Sequence, residues 1–177
     1  MTVLSSQTIL SLCKSNTDSD LVYPCMVRSV HNGMSFGLSS CGYDIRVAQD
    51  IALFPGHVVE LVRWDEVILN PPRFGFTLAS SIEYFNMPNN VVGRVHDKST
   101  WARRGLVVQN TVLEPGWRGF LTLELSNHAD EPIYVKAGDP IAQVIFEFLD
   151  CPSDMPYAGK YQDQEDRPVA AIMEAGK

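Results

Sequence analysis

The chain has 177 residues, 45% of them hydrophobic and 20% charged, which suits one globular domain with a real core. A formal net charge of -7 and a pI near 5.0 argue against broad affinity for nucleic acid or an anionic membrane, although a basic pocket can still hold a small anion. No apolar run approaches the roughly 20 residues of a membrane span, and residues 1–12 lack the basic start of a signal peptide, so a cytoplasmic setting is expected.

A short helix comes first. In SSQTILSLCKS, Ser5 or Ser6 is placed to cap, and Ile9, Leu10, Leu12 and Cys13 form an apolar face. From there the punctuation is that of a β protein. Turn signals recur at NGM (32–34), FPGH (54–57), NPPRFG (70–75), MPNN (87–90), EPGWRG (114–119), HADEP (128–132) and AGDP (137–140). The runs between them are short and rich in Val, Ile, Leu, Phe and Tyr, which predicts a sandwich, jelly roll or distorted barrel. In FLTLELSN (120–127), Phe120, Thr122, Glu124 and Ser126 share one face, and Leu121, Leu123 and Leu125 the other. IAQVIFEFL (141–149) sets Ala142, Val144, Phe146 and Phe148 on one side. No internal repeat or linker divides the chain, so a single β domain is expected over residues 1–150. Residues 151–177, rich in polar, Gly and Pro residues, form either a frayed terminus or a flap that orders over a ligand.

Cys13, Cys25, Cys41 and Cys151 form no CxxC pair and are expected to be buried small hydrophobes. None of His31, His57, His96 and His128 lies near them in sequence, so no zinc-site spacing is present.

Two segments carry possible chemistry. HDKSTWARRG (96–105) gathers three of the fourteen Lys and Arg residues into seven positions of an acidic chain. VVGRV before it reads as a strand, and STWARRG as one helical turn closed by Gly105. Lys98, the Ser99 and Thr100 hydroxyls and the helix start suit phosphate oxygens. Taken alone, a solvated turn with surface cations is the simpler reading. Glu124 is the second. A carboxylate between Leu123 and Leu125 is disfavoured unless its face meets water, a cation or a ligand, and a solvated edge strand is again the simpler reading.

The ordered set KSTWARRG, EPGWRG, LTLELSN, IAQ and PYAGKYQDQ resembles the dCTP deaminase branch of the dUTPase-like superfamily. The resemblance runs from about Asp44 in GYDIRV to Gln164 and is densest over 93–127. It implies a mainly β fold, a distorted jelly roll with a short N-terminal helix and a C-terminal flap. It further implies a homotrimer with active sites between subunits, and hydrolytic deamination of dCTP to dUTP with magnesium on the triphosphate.

Carried over residue by residue, Lys98, Ser99 and Thr100 match the phosphate-binding start of the family's signature helix, and Trp101 and Ala102 follow as nucleotide contacts. Ser99 and Arg103 match its catalytic serine and arginine. Glu124 matches the catalytic glutamate, flanked by Thr122 and Leu123 as substrate contacts. Thr111 and Val112 correspond to a threonine and an alanine of the substrate loop, and Trp117 to the aromatic of the next turn. Gln143, Tyr157, Lys160 and Gln164 match nucleotide contacts, the last three on the flap, which favours the flap reading of the tail. Two departures bear on base and sugar selectivity. The stretch between Gly105 and Trp117 is about two residues short of typical members, and Glu114 replaces the usual Asp that touches the sugar.

Neither H-x-E nor P-C-x-x-C is present, so a zinc-independent route is expected, with Glu124 as base, Arg103 keeping it ionised and Ser99 positioning the water. The rival readings are a dUTP pyrophosphatase or a bifunctional, dUMP-forming deaminase, and then a non-catalytic nucleotide-binding regulator.

Overall fold

Ser5 opens the fold in the role its hydroxyl suggests. In the computed structural model, which describes residues 2–55 and 75–173, its Oγ accepts from the Thr8 amide at 3.3 Å and starts α1, Ser6–Ser11. Ile9 and Cys13 enter the core and Leu12 packs against it, but Leu10 is 46% exposed. So short a helix presents a narrow stripe, and Leu10 lies about 100° round the axis from Ile9, outside it.

The strands follow as β1 Thr2–Val3, β2 Val22–Tyr23, β3 Ser29–His31, β4 Met34–Ser39, β5 Gly42–Arg46, β6 Ile51–Leu53 and β7 Phe76–Asn86. After them come β8 Val91–Asp97, helix α2 Ser99–Ala102, β9 Leu106–Val108, β10 Val112–Leu113, β11 Arg118–Asn127, β12 Ile133–Val135 and β13 Pro140–Phe148. One sheet has the order β10-β8-β13-β5-β4-β3, with β1 also on β13; a second runs β2-β7-β11-β9, and β12 pairs with β6. All these pairs are antiparallel. The curled sheets enclose one core, to which Tyr43, Phe85, Trp101, Leu123, Leu125, Val144 and Phe146 contribute. The FPGH and NPPRFG turns, and His57, lie wholly or partly outside the described residues.

β13 keeps the expected alternation, with Ala142, Val144 and Phe146 fully buried and Phe148 packed on the core. β11 keeps it only in part. Leu123 and Leu125 are fully buried, together worth roughly 3–6 kcal/mol of apolar burial. Leu121 departs, because pairing passes from Phe120↔Tyr84 to Thr122↔Ser80 and leaves Ser81, Ile82 and Glu83 opposite it. The bulge is satisfied locally: the Leu121 amide donates to Ser81 Oγ at 2.9 Å, and Ser81 Oγ donates to the Glu83 carbonyl at 2.7 Å.

The cysteines divide. Cys13 is buried and Cys25 half-buried, as expected of small hydrophobes, whereas Cys41 and Cys151 are exposed. Cys41 sits in the tight turn between β4 and β5 and Cys151 just past β13, where the chain leaves the core.

The bulge carries a buried ion pair. The Glu83 carboxylate, with no exposed surface, accepts from both the Arg46 amide and Arg46 Nε at 2.8 Å. Burial pushes the Glu83 carboxyl up, against the pull of Arg46. Removing one partner of such a pair costs more than never having it. Arg46→Met should therefore destabilise the chain at neutral pH by about 3–5 kcal/mol, read from urea unfolding. A raised carboxyl pKa makes folding favour the protonated form, so stability falls as pH rises from the ordinary glutamate value through the raised one. The deficit of Arg46→Met should accordingly shrink as the pH is lowered; a deficit that is constant or grows in acid would contradict this role for Glu83.

Candidate active site

A cavity of about 480 Å³ opens where β11, the 109–114 loop and the C-terminal tail meet. Its lining unites eight of the residues singled out in the sequence: Thr111, Val112, Glu114, Trp117, Thr122, Glu124, Tyr157 and Gln164. Leu123, also expected there, points the other way into the core. The β11 bulge adds Leu121 to the cavity wall beside Thr122 and Glu124.

What shapes this place is the outer edge of β11. β9 pairs only with Leu125, Ser126 and Asn127, so the rest of that edge needs other partners. The Gln109 amide donates to the Glu124 carbonyl at 2.8 Å. The Asn110 side chain then accepts from the Glu124 amide at 3.1 Å and donates to the Thr122 carbonyl at 2.6 Å. Farther along, the tail takes over. The Phe120 amide donates to the Gln164 carbonyl at 3.1 Å, and Gly119 and Gln164 form a parallel bridge.

The tail is therefore docked, although it has no strand of its own. Thr122 Oγ1 donates to Gln164 Oε1 and accepts from the Val169 amide, both at 3.0 Å. Trp117 Nε1 donates to the Tyr161 carbonyl at 2.7 Å, and the Tyr157 amide to the Pro115 carbonyl at 2.8 Å. Arg118 and Asp163 make a forked ion pair that holds the Asp163 carboxyl below the usual carboxylate range. Both side chains are more than half exposed, so the pair adds little beyond alignment. Lys160 is exposed, with its ammonium 5.3 Å from the Tyr161 ring centroid.

Two glycines of EPGWRG make the seat. Gly116 sits at φ +84°, as the third position of the Glu114–Trp117 turn requires, and a Cβ there would meet Pro156 at 2.6 Å. Gly119, at φ +143°, would put a Cβ 2.6 Å from the Gln164 nitrogen.

Glu124 is half-buried, and burial pushes its carboxyl up. Among the described residues no salt bridge to it is formed within the chain. None of residues 98–103 lines the cavity. They form a second group around α2, where Ser99, Thr100, Ala102 and Arg103 are exposed. Gly105 closes this turn at φ +86°.

Two of that group face inward. Lys98, expected at phosphate, is buried, and its Nζ lies 2.9 Å from Asp44 Oδ2 and 3.4 Å from Ser35 Oγ. Trp101 is 2% exposed and its Nε1 donates to the Pro140 carbonyl at 2.7 Å, so its ring belongs to the core. Gln143 sits on β13 between Asp44 and His96, donates to Ser39 Oγ at 3.1 Å and does not line the cavity.

Asn110, Tyr161 and Val169 belong to the cavity but were not singled out in the sequence. An Asn in QNTVLEP reads as one more turn residue. Its role depends on a strand edge that only the sheet topology exposes.

The sequence profile of the dCTP deaminase-like family matches residues 3–149. A dCTP deaminase of Campylobacter concisus (strain 13826) is 40% identical over 168 residues, covering 86% of this chain and 90% of the relative. One from Chlamydia trachomatis serovar L2 is 41% identical over 147 residues, covering 75% and 77%. Among solved structures, the dUTPase of Staphylococcus bacteriophage 80alpha superposes with a TM-score of 0.50 at 13% identity, covering 94% of this chain and 96% of that one. The dUTPase of phage phi11 of S. aureus gives 0.50 at 15%, covering 80% and 90%. At such identities the likeness is one of fold, the jelly-roll type of the dUTPases.

The seat makes a direct prediction. Gly119→Ala should release the tail, so that amides over 156–170 exchange rapidly and the segment becomes open to proteolysis, while β11 amides stay protected. The strain of an L residue at this φ is separated by repeating the substitution in a chain cut after Asp154, where only that strain remains. Unchanged tail protection in Gly119→Ala would contradict the seat.

Proposed function

This chain belongs to the dCTP deaminase-like family, and we propose that it hydrolyses dCTP to dUTP and ammonia with Glu124 as the proton-transferring base. The observation that carries the reading is a half-buried carboxylate on the wall of a cavity whose other walls are a short loop and a docked tail. Magnesium belongs to the substrate here, as the usual companion of a triphosphate. As an enzyme of the deoxynucleotide pool it would work in the cytoplasm.

The chemistry adds water to C4 of cytosine and expels ammonia. Bulk water, with a pKa of about 15.7, and an ordinary glutamate at about 4.3 differ by about 11 units, or roughly 15 kcal/mol for complete transfer. Glu124 therefore takes the proton as the C–O bond forms and hands it on to N3 or the leaving amine. Burial, which raises its carboxyl, brings donor and acceptor closer in pKa. Activity should then fall as pH is lowered through the pKa that Glu124 has in the assembled site, where a nearby cation opposes the effect of burial, because protonated Glu124 cannot accept.

A homotrimer with sites between subunits accounts for the two separated groups. The Ser99 and Thr100 hydroxyls and Arg103 face outward from α2, away from the cavity of their own chain. A neighbouring copy that presents its α2 to this cavity would supply the phosphate-binding hydroxyls, the serine to hold the water and the cation to keep Glu124 ionised. In that assembly Lys98 orders the helix start through Asp44. Glu114, a second carboxylate on the cavity wall, keeps open a bifunctional reading in which dUTP is cut further to dUMP; pyrophosphate released alongside ammonia would favour it.

Glu124→Gln is the sharp test. The amide is nearly isosteric, so the strand and nucleotide binding should persist while the proton acceptor is lost. General bases contribute about 10²–10⁴-fold, and kcat for dCTP should fall by on the order of 10³ with far less change in affinity. Retention of more than about a tenth of normal turnover, a loss of only roughly 1.4 kcal/mol, would remove Glu124 from the role of base.

A further inference from the structure

We infer that Asn110 is a positioning residue for Glu124, its side-chain amide standing in for a paired strand at the one stretch of β11 where the main chain cannot supply one. The inference builds on the deaminase reading and concerns how the base is held.

The geometry is as follows. β9 ends at Val108, and two residues after Asn110 the chain has joined β8 through β10 in the other sheet. Between these points the backbone leaves β11. Leaving would strip partners from the Glu124 amide and the Thr122 carbonyl, on either side of Leu123. Asn110 satisfies both with one planar group: Oδ1 accepts from the Glu124 amide at 3.1 Å, and Nδ2 donates to the Thr122 carbonyl at 2.6 Å. The preceding residue completes the clamp, the Gln109 amide reaching the Glu124 carbonyl at 2.8 Å. The main chain of Glu124 is thus gripped at both of its polar groups.

Only a side-chain carboxamide carries one acceptor and one donor at this spacing. Aspartate keeps the acceptor and loses the donor. Alanine loses both and opens the edge to water. The clamp also registers the loop, because Thr111, the next residue, is itself on the cavity wall. Asn110 does not need to touch a reacting atom; its effect passes through the direction and the dryness of the Glu124 carboxylate. The other titratable groups facing the same cavity are Glu114 on the loop and the Tyr157 and Tyr161 phenols on the tail.

The experiment compares the wild-type chain with Asn110→Ala and Asn110→Asp by ammonia release from dCTP, over the acid limb of the pH profile. Misplacing a base by about 1 Å can cost 100-fold. Asn110→Ala should lose on the order of 10-fold to 100-fold in kcat with KM changed by less than about threefold. Its acid limb should move to lower pH as water reaches Glu124. Asn110→Asp, which sets a negative charge beside Glu124, should move the limb to higher pH. Opposite displacements are a signature that loss of fold does not produce.

A second readout does not depend on turnover. Exchange of the Glu124 amide, followed by NMR, should accelerate in Asn110→Ala and remain near wild type in Asn110→Asp, whose carboxylate still accepts; the amides of Leu123 and Leu125 should not change. Unaltered Glu124 exchange in Asn110→Ala, or a turnover loss matched by loss of folded protein with the acid limb unmoved, overturns the inference. If the wild-type chain releases no ammonia from dCTP, the deaminase reading fails, and the exchange measurement still decides whether the clamp exists.

Discussion

A strand edge that its neighbour covers for only three residues governs this molecule. β9 pairs with the last part of β11 and stops, and a bare edge inside a curled sheet is costly because each unpaired amide or carbonyl there loses its water without gaining a partner. Gln109, the Asn110 side chain and the Gln164 backbone fill the vacancy in turn. The consequence is spatial. The loop and the tail must both lie against β11 to do this, and the space left between them is the cavity into which Glu124 points. The same edge thereby fixes the tail, the loop and the carboxylate together.

Much of this was legible in the chain itself. The Ser5 cap, the turn at EPGW with glycine where φ is positive, and the alternation that buries Leu123 and Leu125 against an outward Glu124 all follow from local rules. Leu121 was not legible. A bulge on the partner strand, β7, leaves it half-buried between core and cavity, and nothing in LTLEL records what three residues of another strand will do. The Lys98 ion pair was not legible for a similar reason: its partner Asp44 is 54 residues away. Cys41 and Cys151 were read from a compositional tendency, and turn positions override it.

The candidate site itself was legible in part. Eight expected residues meet in one cavity because one strand, the loop before it and the tail converge there. The α2 residues do not join them within the chain, and no reading of a single sequence can show which surface meets which across two copies. Ser99, Thr100 and Arg103 are exposed polar groups in the single chain, and the roles proposed for them depend on a neighbouring copy. The tail, by contrast, was ambiguous in sequence because many of its contacts are made by its backbone: Tyr157, Tyr161, Gln164 and Val169 all use main-chain groups, which composition does not reveal.

The central claim is that a carboxylate in this cavity directs water to a cytosine ring rather than to a phosphorus atom. Isotope tracing tests it most directly. The chain is incubated with dCTP in ¹⁸O-labelled water, and products are resolved by mass spectrometry. The account predicts dUTP carrying one ¹⁸O on the base, with one ammonia released for each dUTP formed. Label appearing only on phosphate, with the cytosine amine intact, would contradict it.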